Sequence, residues 1–148
     1  MGVIEFRGKR VDNKEWVYGS CFIEQQFTCF HSNPKYYIIT QHFMDWNLWS
    51  TKSNQVIRGT VGQFTGAIDI NKNKIYKYDI VKGPCSYGDY DEDFDNGVVL
   101  WSEEDYGFGI WREGKIHHKN YLCNLKTGLE VVGNIFDNPQ LLDNVKRV

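Results

Sequence analysis

The sequence predicts a mainly β protein, and three observations support this fold class. Of the 148 residues, 16% are aromatic (9 Phe, 9 Tyr and 5 Trp), and aromatic residues favour strands. Ala-rich segments typical of helices are missing. Short aromatic and β-branched runs alternate with turn residues. The length and the 41% hydrophobic content predict a single domain over residues 1–148 with a core of its own.

The first predicted element is a β-hairpin. We expect a strand over residues 3–10, a polar turn over 11–15 and a second strand, rich in aromatic and β-branched residues, over 16–23. A connection of this length is common in hairpins. The chain is therefore predicted to open with two antiparallel strands.

The next segments predict further strands. Residues 36–40 are aromatic and β-branched and indicate a strand. Residues 43–49 carry large apolar side chains at spacings that fit either a short helix or a strand, so their structure stays open. Residues 55–64 contain valines and isoleucine interrupted by Gly59 and Gly62.

A turn and an acidic loop are predicted in the centre of the chain. Asn71-Lys72-Asn73 indicates a turn, because Asn tolerates positive φ. A strand over residues 79–82 is expected to stop at Gly83-Pro84. Residues 86–97 are rich in Asp and Glu and predict a loop.

The C-terminal part predicts strands followed by a short helix. Asn138 is a suitable N-cap and Pro139 a suitable first helical residue, which predicts one or two helical turns over 140–145. The predicted strands of this part lie at residues 97–101, 106–112, 115–122 and 130–136.

Three blocks spread along the chain carry a family resemblance. They are residues 4–10 with Asp12-Asn13 and Glu15-Trp16-Val17-Tyr18-Gly19, Gln63-Phe64-Thr65-Gly66 continuing to Asp79-Ile80-Val81-Lys82, and Glu130-Val131-Val132-Gly133-Asn134-Ile135-Phe136 continuing to Leu142. In this order they resemble the YopX family of phage and prophage proteins. The resemblance implies a mainly β fold with a small SH3-like barrel core, an N-terminal hairpin elaboration and a short C-terminal helix.

The resemblance also divides the predicted domain. Residues 1–62 would hold the hairpin and a variable β region, and residues 63–148 the barrel-like core with the acidic loop 86–97. It implies no catalytic residue, because the shared blocks consist of glycines, turn residues and strand cores. The stretches 24–60 and 84–125 match nothing in the family pattern and are expected to determine what this member contacts.

Two positions depart from the family pattern. The family usually has Asn-Gly in the turn where this chain has Asn71-Lys72, and Gly where it has Tyr78. Both changes place a Cβ where glycine would relax the backbone. We therefore expect the turn geometry to differ here and the strands to survive.

Charge and cysteine content exclude some functional classes. The net charge is −2 and the pI about 6.1, which disfavours generic nucleic-acid coating. The four cysteines, at positions 21, 29, 85 and 123, show no C-x-x-C spacing. With neither a signal peptide nor a membrane span expected, the thiols are expected to stay free in the cytoplasm of a bacterial host.

The acidic loop offers the first candidate site. Asp89, Asp91, Asp93 and Asp95 place carboxylates at alternate positions, as Ca²⁺ or Mg²⁺ ligands are often arranged. The spacing fails the EF-hand pattern, so a solvated acidic loop is the favoured interpretation. His117-His118 could contribute to zinc only with distant cysteines, and surface histidines are favoured there.

The hairpin offers the second candidate site. Arg7, Lys9 and Arg10 are the densest basic cluster, and the facing strand carries aromatic residues beginning with Trp16. Cations with stacking rings can bind single-stranded nucleic acid. The favoured interpretation is structural: a hairpin with an aromatic inner face and a charged outer face.

Three functions are carried forward. The first is a non-enzymatic phage or prophage accessory protein that self-associates as a homo-oligomer and binds a protein partner through its variable loops, without a cofactor or a membrane. The second is a nucleic-acid-binding β-barrel module that uses the basic hairpin. The third is a metal-dependent enzyme built on the acidic loop.

Overall fold

A computed structural model describes residues 4–24, 34–44, 48–87, 90–104, 106–112, 115–117 and 128–142. The chain divides into two compact units, Met1–Gln63 and Phe64–Val148. The described elements are eleven strands, paired antiparallel, and two short 3₁₀ helices, so the predicted mainly β class is confirmed. Neither described helix has the length and apolarity to span a membrane.

The first unit contains the predicted hairpin and two longer strands. Its elements are β1 (Phe6–Lys9), β2 (Trp16–Glu24), β3 (Lys35–Met44), β4 (Leu48–Val56), a 3₁₀ helix (Arg58–Thr60) and the start of β5 (Gly62–Ile68). The hydrogen-bonded order is β4-β3-β2-β1-β5. In the segment left open by the sequence, residues 43 and 44 end β3 and residue 48 begins β4, whereas 45–47 lie outside the described residues.

Strand β2 changes partner at Gly19. Residues 16–19 pair with β1, and residues 20–24 pair with β3. Gly19 has a φ of 156°, and a Cβ there would overlap the carbonyl oxygen of Ile39. Only glycine accepts both conditions. On the other side of the strands, Ile38 and Val56 are buried and provide the apolar packing of this unit.

The second unit contains a five-stranded sheet. Its elements are the rest of β5, β6 (Lys74–Tyr76), β7 (Asp79–Tyr87), β8 (Tyr90–Ser102), β9 (Gly107–Arg112), β10 (Lys115–His117), β11 (Glu130–Asn134) and a 3₁₀ helix (Pro139–Leu142). The sheet order is β10-β9-β8-β7-β11. Its core joins β6 to the sheet through five buried apolar side chains, Ile75, Val81, Val99, Ile110 and Leu129.

The predicted end of a strand at Gly83-Pro84 is wrong, because β7 continues to residue 87. The register against β8 shifts between Val81 and Gly83, which marks a β-bulge. Gly83 has a φ of 153°, and a Cβ there would crowd the carbonyl group of Gly128. The bulge therefore accommodates Gly83 and Pro84, and the strand continues through them.

The predicted acidic loop is also corrected. Residues 90–97 belong to β8, and Asp91 and Asp93 lie opposite Ser86 and Pro84 of β7. The acidic composition predicts a loop, but pairing with β7 provides hydrogen-bond partners for the backbone of these residues and makes them a strand. Asp89 lies outside the described residues.

No closed barrel is formed by the described strands. Closure would require the end strands of a sheet to pair with each other, but β10 and β11 are each paired on one side only in the described sheet. The described strands of the second unit thus form an open sheet, and the SH3-like character of the core stays a prediction. The predicted strand over residues 130–136 supplies one edge of it, as β11.

The predicted C-terminal helix is a 3₁₀ turn over its described part. It begins at Pro139, as expected, and ends at Leu142; residues 143–145 of the prediction lie outside the described residues. The Asn138 side chain does not act as the expected N-cap. Its Oδ1 accepts a hydrogen bond of 3.3 Å from the backbone N–H of Asn134, at the end of β11.

A buried carboxylate joins the central turn to β11. Asp69 is 7% exposed. Its oxygens accept hydrogen bonds from the backbone N–H groups of Asn71 (2.8 Å), Asn73 (2.7 Å) and Val131 (3.1 Å), and from the Asn73 side chain (3.1 Å). Burial alone would raise the pKa of Asp69, but these donors together lower it below its usual value.

The two departures from the family pattern adopt backbone conformations that favour glycine. Lys72 has a φ of 67° and Tyr78 a φ of 76°. We expected the turn geometry to change at these positions. Instead, both residues keep the left-handed backbone conformation that glycine would adopt. At Tyr78 the backbone strain is offset by an edge-to-face contact between its ring and that of Phe136, with ring centroids 5.5 Å apart. Lys72 is an exposed turn residue.

We predict that Asp69→Asn lowers the free energy of unfolding at pH 7 by about 1–3 kcal/mol. An amide presents one acceptor where the carboxylate presents two, so one backbone donor loses its partner. The carboxylate's lowered pKa stabilises the folded state above about pH 4, and this stabilisation is lost as pH falls through the lowered value. The difference in the free energy of unfolding between the two proteins, measured with denaturant, should therefore be largest at pH 7 and should narrow as the pH is lowered below about 4.

Asp95→Asn is the control for this prediction, because Asp95 is an exposed residue of β8. It should change the free energy of unfolding by less than about 0.5 kcal/mol. Equal losses in the two variants would contradict the proposed role of Asp69.

We predict that Lys72→Gly raises the free energy of unfolding by up to about 1 kcal/mol, because a left-handed residue with a Cβ is strained. Lys72→Ala retains the Cβ and should give no gain. Tyr78→Gly should be destabilising despite the same relief, since it removes the contact with Phe136. Thermal and denaturant unfolding would measure all three, and a gain for the alanine variant would show that the Lys side chain, not the backbone, is responsible.

Candidate functional site

The turn of the β1–β2 hairpin is held by local polar contacts. Asp12 accepts a hydrogen bond of 2.8 Å from the Asn13 backbone N–H, and the Asn13 side chain accepts one of 3.0 Å from the Glu15 backbone N–H. Arg10 forms an ion pair with Asp12. The hydrogen bond from Arg10 is the main cause of the lowered pKa of Asp12. Arg10 is therefore engaged with the hairpin turn through Asp12, unlike the other two cations of the predicted basic cluster.

The other two cations lie against an aromatic ring. The Arg7 guanidinium carbon is 4.7 Å from the centroid of the Trp16 ring, and the Lys9 ammonium nitrogen is 5.4 Å from it. The register explains this, because Lys9 lies directly opposite Trp16 in the sheet, and Arg7 is two residues before Lys9 on the same side of β1. The structure therefore brings together Arg7, Lys9 and Trp16 as cation–π partners.

The expected separation into an aromatic inner face and a charged outer face is wrong. Arg7 is only 7% exposed, whereas Tyr18 is 47% and Phe22 is 51% exposed. Along β2, residues 18, 20 and 22 are exposed and residues 17, 19 and 21 are half-buried. The aromatic side chains of β2 therefore continue from Trp16 along an outward-facing side of the sheet.

Strand β3 adds a further ring to the same side. Tyr37 lies opposite Phe22 in the register, and the two ring centroids are 6.1 Å apart. The Tyr37 hydroxyl donates a hydrogen bond of 3.0 Å to the Glu24 carboxylate. This bond, with burial, raises the pKa of Tyr37. We call the surface of Arg7, Lys9, Trp16, Tyr18, Phe22 and Tyr37 the aromatic–basic face.

The position of Tyr37 could not be found from the sequence. The sequence indicates Arg7, Lys9 and Trp16 because they cluster along a predicted hairpin. Tyr37 comes next to Phe22 only through the β2–β3 register, and the connection between those strands is too long for its length to fix the register. The adjacent tyrosines of β3 gave no signal to distinguish the outward one from the inward one.

The other candidate site, made of predicted metal ligands, does not form a cluster among the described residues. Asp95 is exposed in β8, Asp91 and Asp93 are placed only as strand positions, and His117 belongs to β10. His118, Cys29 and Cys123 lie outside the described residues. Among the described residues, no three His, Cys, Asp or Glu side chains are grouped as metal ligands.

The cysteine of β2 has the environment of a packing residue. Cys21 is a half-buried free thiol on the opposite side of the strand from Phe22. Burial raises its pKa. A thiol with a raised pKa stays protonated at neutral pH, which disfavours a nucleophilic role.

The geometry defines a class of two-unit antiparallel β proteins with an aromatic and basic surface on the N-terminal hairpin. The family model of the YopX protein matches residues 5–143. The chain therefore belongs to the YopX family, as the sequence blocks indicated.

One solved structure supports the fold independently. The crystal structure of protein EF1440 from Enterococcus faecalis is similar over 97% of this chain and 100% of that chain, with a TM-score of 0.51 and 17% sequence identity. At this identity the likeness concerns the fold alone. No curated protein matches the sequence.

We predict that removal of the cation–π partners weakens the hairpin. Lys9→Met keeps the aliphatic stem and should lower the free energy of unfolding by about 0.5–1 kcal/mol. Arg7→Met should cost more, because Arg7 is the more buried of the two. Denaturant unfolding would measure both changes.

Lys52→Met is the matched control for these variants. Lys52 is an exposed cation of β4, so its loss should change the free energy of unfolding by less than about 0.5 kcal/mol. A similar loss in all three variants would contradict a specific contribution of the Trp16 contacts.

Proposed function

We propose that this protein is a non-enzymatic binding module of phage or prophage origin, and that the aromatic–basic face is its binding surface. The observation that carries the proposal is the outward position of Tyr18 and Phe22 on one side of β2, each about half exposed. Exposed aromatic side chains are costly to leave in water when they form a continuous patch. Such patches are enriched at sites of macromolecular contact.

The composition of the face supports binding in a second way. Tyr and Trp combine a large apolar area with few rotatable bonds, so that little conformational entropy is lost when a partner covers them. Trp16 is already oriented by Arg7 and Lys9. The face is therefore largely ordered before a partner arrives, which lowers the cost of association.

The face also joins a family-like part of the chain to a variable part. The hairpin belongs to the first sequence block that resembles the family, whereas Tyr37 lies outside the three blocks, in the stretch 24–60. In this proposal, the hairpin supplies a common platform and the variable stretch adjusts what is bound. We further propose that the module acts in the cytoplasm of a bacterial host and self-associates there.

Site-specific photocrosslinking in bacterial cells would test this function. A photoreactive phenylalanine analogue in place of Phe22 is expected to give a covalent adduct with a macromolecule. The matched control carries the same analogue at Ile23, which is 46% exposed but lies on the opposite side of β2. An adduct at position 22 and none at position 23 supports the proposal, and a mass of two chains supports self-association.

The contrary results are equally clear. No adduct at position 22, or equal adducts at both positions, would overturn the assignment of the binding surface. Circular dichroism of each labelled protein would confirm that the β structure is retained, so that a missing adduct could not be attributed to unfolding.

A further inference from the structure

We infer that the aromatic–basic face is a stacking platform for single-stranded nucleic acid. This inference rests on the proposed function and names the partner of the same surface. Binding of single strands requires two features in one place, namely ring faces on which bases stack and cations that follow the phosphate backbone. The arrangement of β1, β2 and β3 supplies both.

The rings are spread along one outward side of β2. From Trp16 to Phe22 the outward side of β2 extends about 20 Å at the usual rise of a strand. Tyr18 and Phe22 lie along this line, and Tyr37 stands beside Phe22 at 6.1 Å between ring centroids. Trp16 has cations against its ring, so the more exposed Tyr18 and Phe22 are the residues assigned to base stacking.

The cations flank these rings at both ends. Arg7 and Lys9 lie at the Trp16 end, and Lys35 is an exposed residue opposite Glu24 at the other end. Two acidic groups lie beside this series: Glu24 accepts the hydrogen bond of Tyr37, and Glu5 lines a shallow surface pocket together with Tyr18. A phosphate backbone along β2 would therefore meet the half-buried Lys9 at the start and the exposed Lys35 at the end of the ring series, whereas Arg7, only 7% exposed, acts by holding Trp16.

The charge of the two units favours the same partner. Residues 1–63 contain seven Lys or Arg and five Asp or Glu, and residues 64–148 contain ten and fourteen. The net charges are therefore +2 and −4, which together give the −2 of the whole chain. The low pI of the chain hides a basic first unit, and this unit is the one that carries the aromatic–basic face. Charge complementarity thus favours a negatively charged partner over a neutral or basic one, and the rings described above favour nucleic acid among such partners.

Single strands are favoured over duplexes because of the rings. In a duplex both faces of each base are covered by neighbouring bases, so that side chains cannot stack on them without disrupting the helix. The outward rings of β2 and β3 can reach only bases that are already unstacked. We therefore expect preference for single-stranded DNA or RNA with little dependence on base sequence.

Fluorescence anisotropy with the full-length protein would test the inference. The probes are labelled oligothymidylate and oligouridylate of about 20 nucleotides and a DNA duplex of the same length, at a salt concentration of about 50 mM. We expect both single strands to bind more tightly than the duplex. Phe22→Ala and Tyr18→Ala should each weaken single-strand binding by about fivefold or more.

Conservative variants separate stacking from general apolar contact. Phe22→Tyr retains a ring and should bind as the unaltered protein does, whereas Phe22→Leu retains apolar area without a ring and should bind as weakly as Phe22→Ala. Ile23→Ala, on the other side of β2, should leave the affinity unchanged. Lys9→Gln should make the slope of log affinity against log salt shallower by about 0.7, the value for one single-strand phosphate contact.

Other outcomes would overturn the inference, and they also show whether the proposed function fails with it. Equal binding of duplex and single strands, or retention of affinity in Phe22→Leu, would show that stacking is not responsible. Absence of oligonucleotide binding, with a protein adduct at position 22 in the photocrosslinking experiment, would replace nucleic acid by a protein partner. Absence of both would remove the proposed function as well.

Discussion

The close approach of β3 to the backbone at Gly19 is the constraint on which the first unit depends. Because no Cβ stands there, the Ile39 carbonyl group can lie against β2 at the point where β2 leaves β1. One strand can then pair with two neighbours along its length. The rings before and after this point share one outward side of β2, while Ile38 and Val56 pack on the other side. The absence of a side chain at Gly19 thus allows the strand pairing that orders both the buried side and the outward side of this unit.

The surface itself follows from a second physical balance. A buried guanidinium would be costly if it were surrounded only by apolar atoms, but Arg7 lies on the electron-rich face of Trp16. This contact fixes the ring and the cation together. Beyond it, Tyr18 and Phe22 are each about half exposed. The same strand therefore carries a ring held by cations at one end and half-exposed rings toward the other.

Local features were predictable from the sequence, and features that depend on register were not. The hairpin, the turn at residues 71–73 and the start of the last turn at Pro139 are encoded by neighbouring residues, and the structure contains them. The strand around Asp91 was predicted as a loop because its composition is acidic, whereas its structure is determined by β7. Tyr37 entered the candidate site for a similar reason. Its partner Phe22 is selected by pairing between strands and not by sequence spacing.

Strand β11, which lies at the edge of the described sheet, has one further consequence, for aggregation. An edge strand normally presents backbone N–H groups that another chain can pair with. In β11 the N–H of Val131 is bound by the Asp69 carboxylate, and that of Asn134 by the Asn138 side chain. A bulge between Val131 and Gly133 also distorts the edge. An incoming strand would have to displace contacts within the same chain, so this edge is protected against the strand-to-strand polymerisation that leads to fibrils.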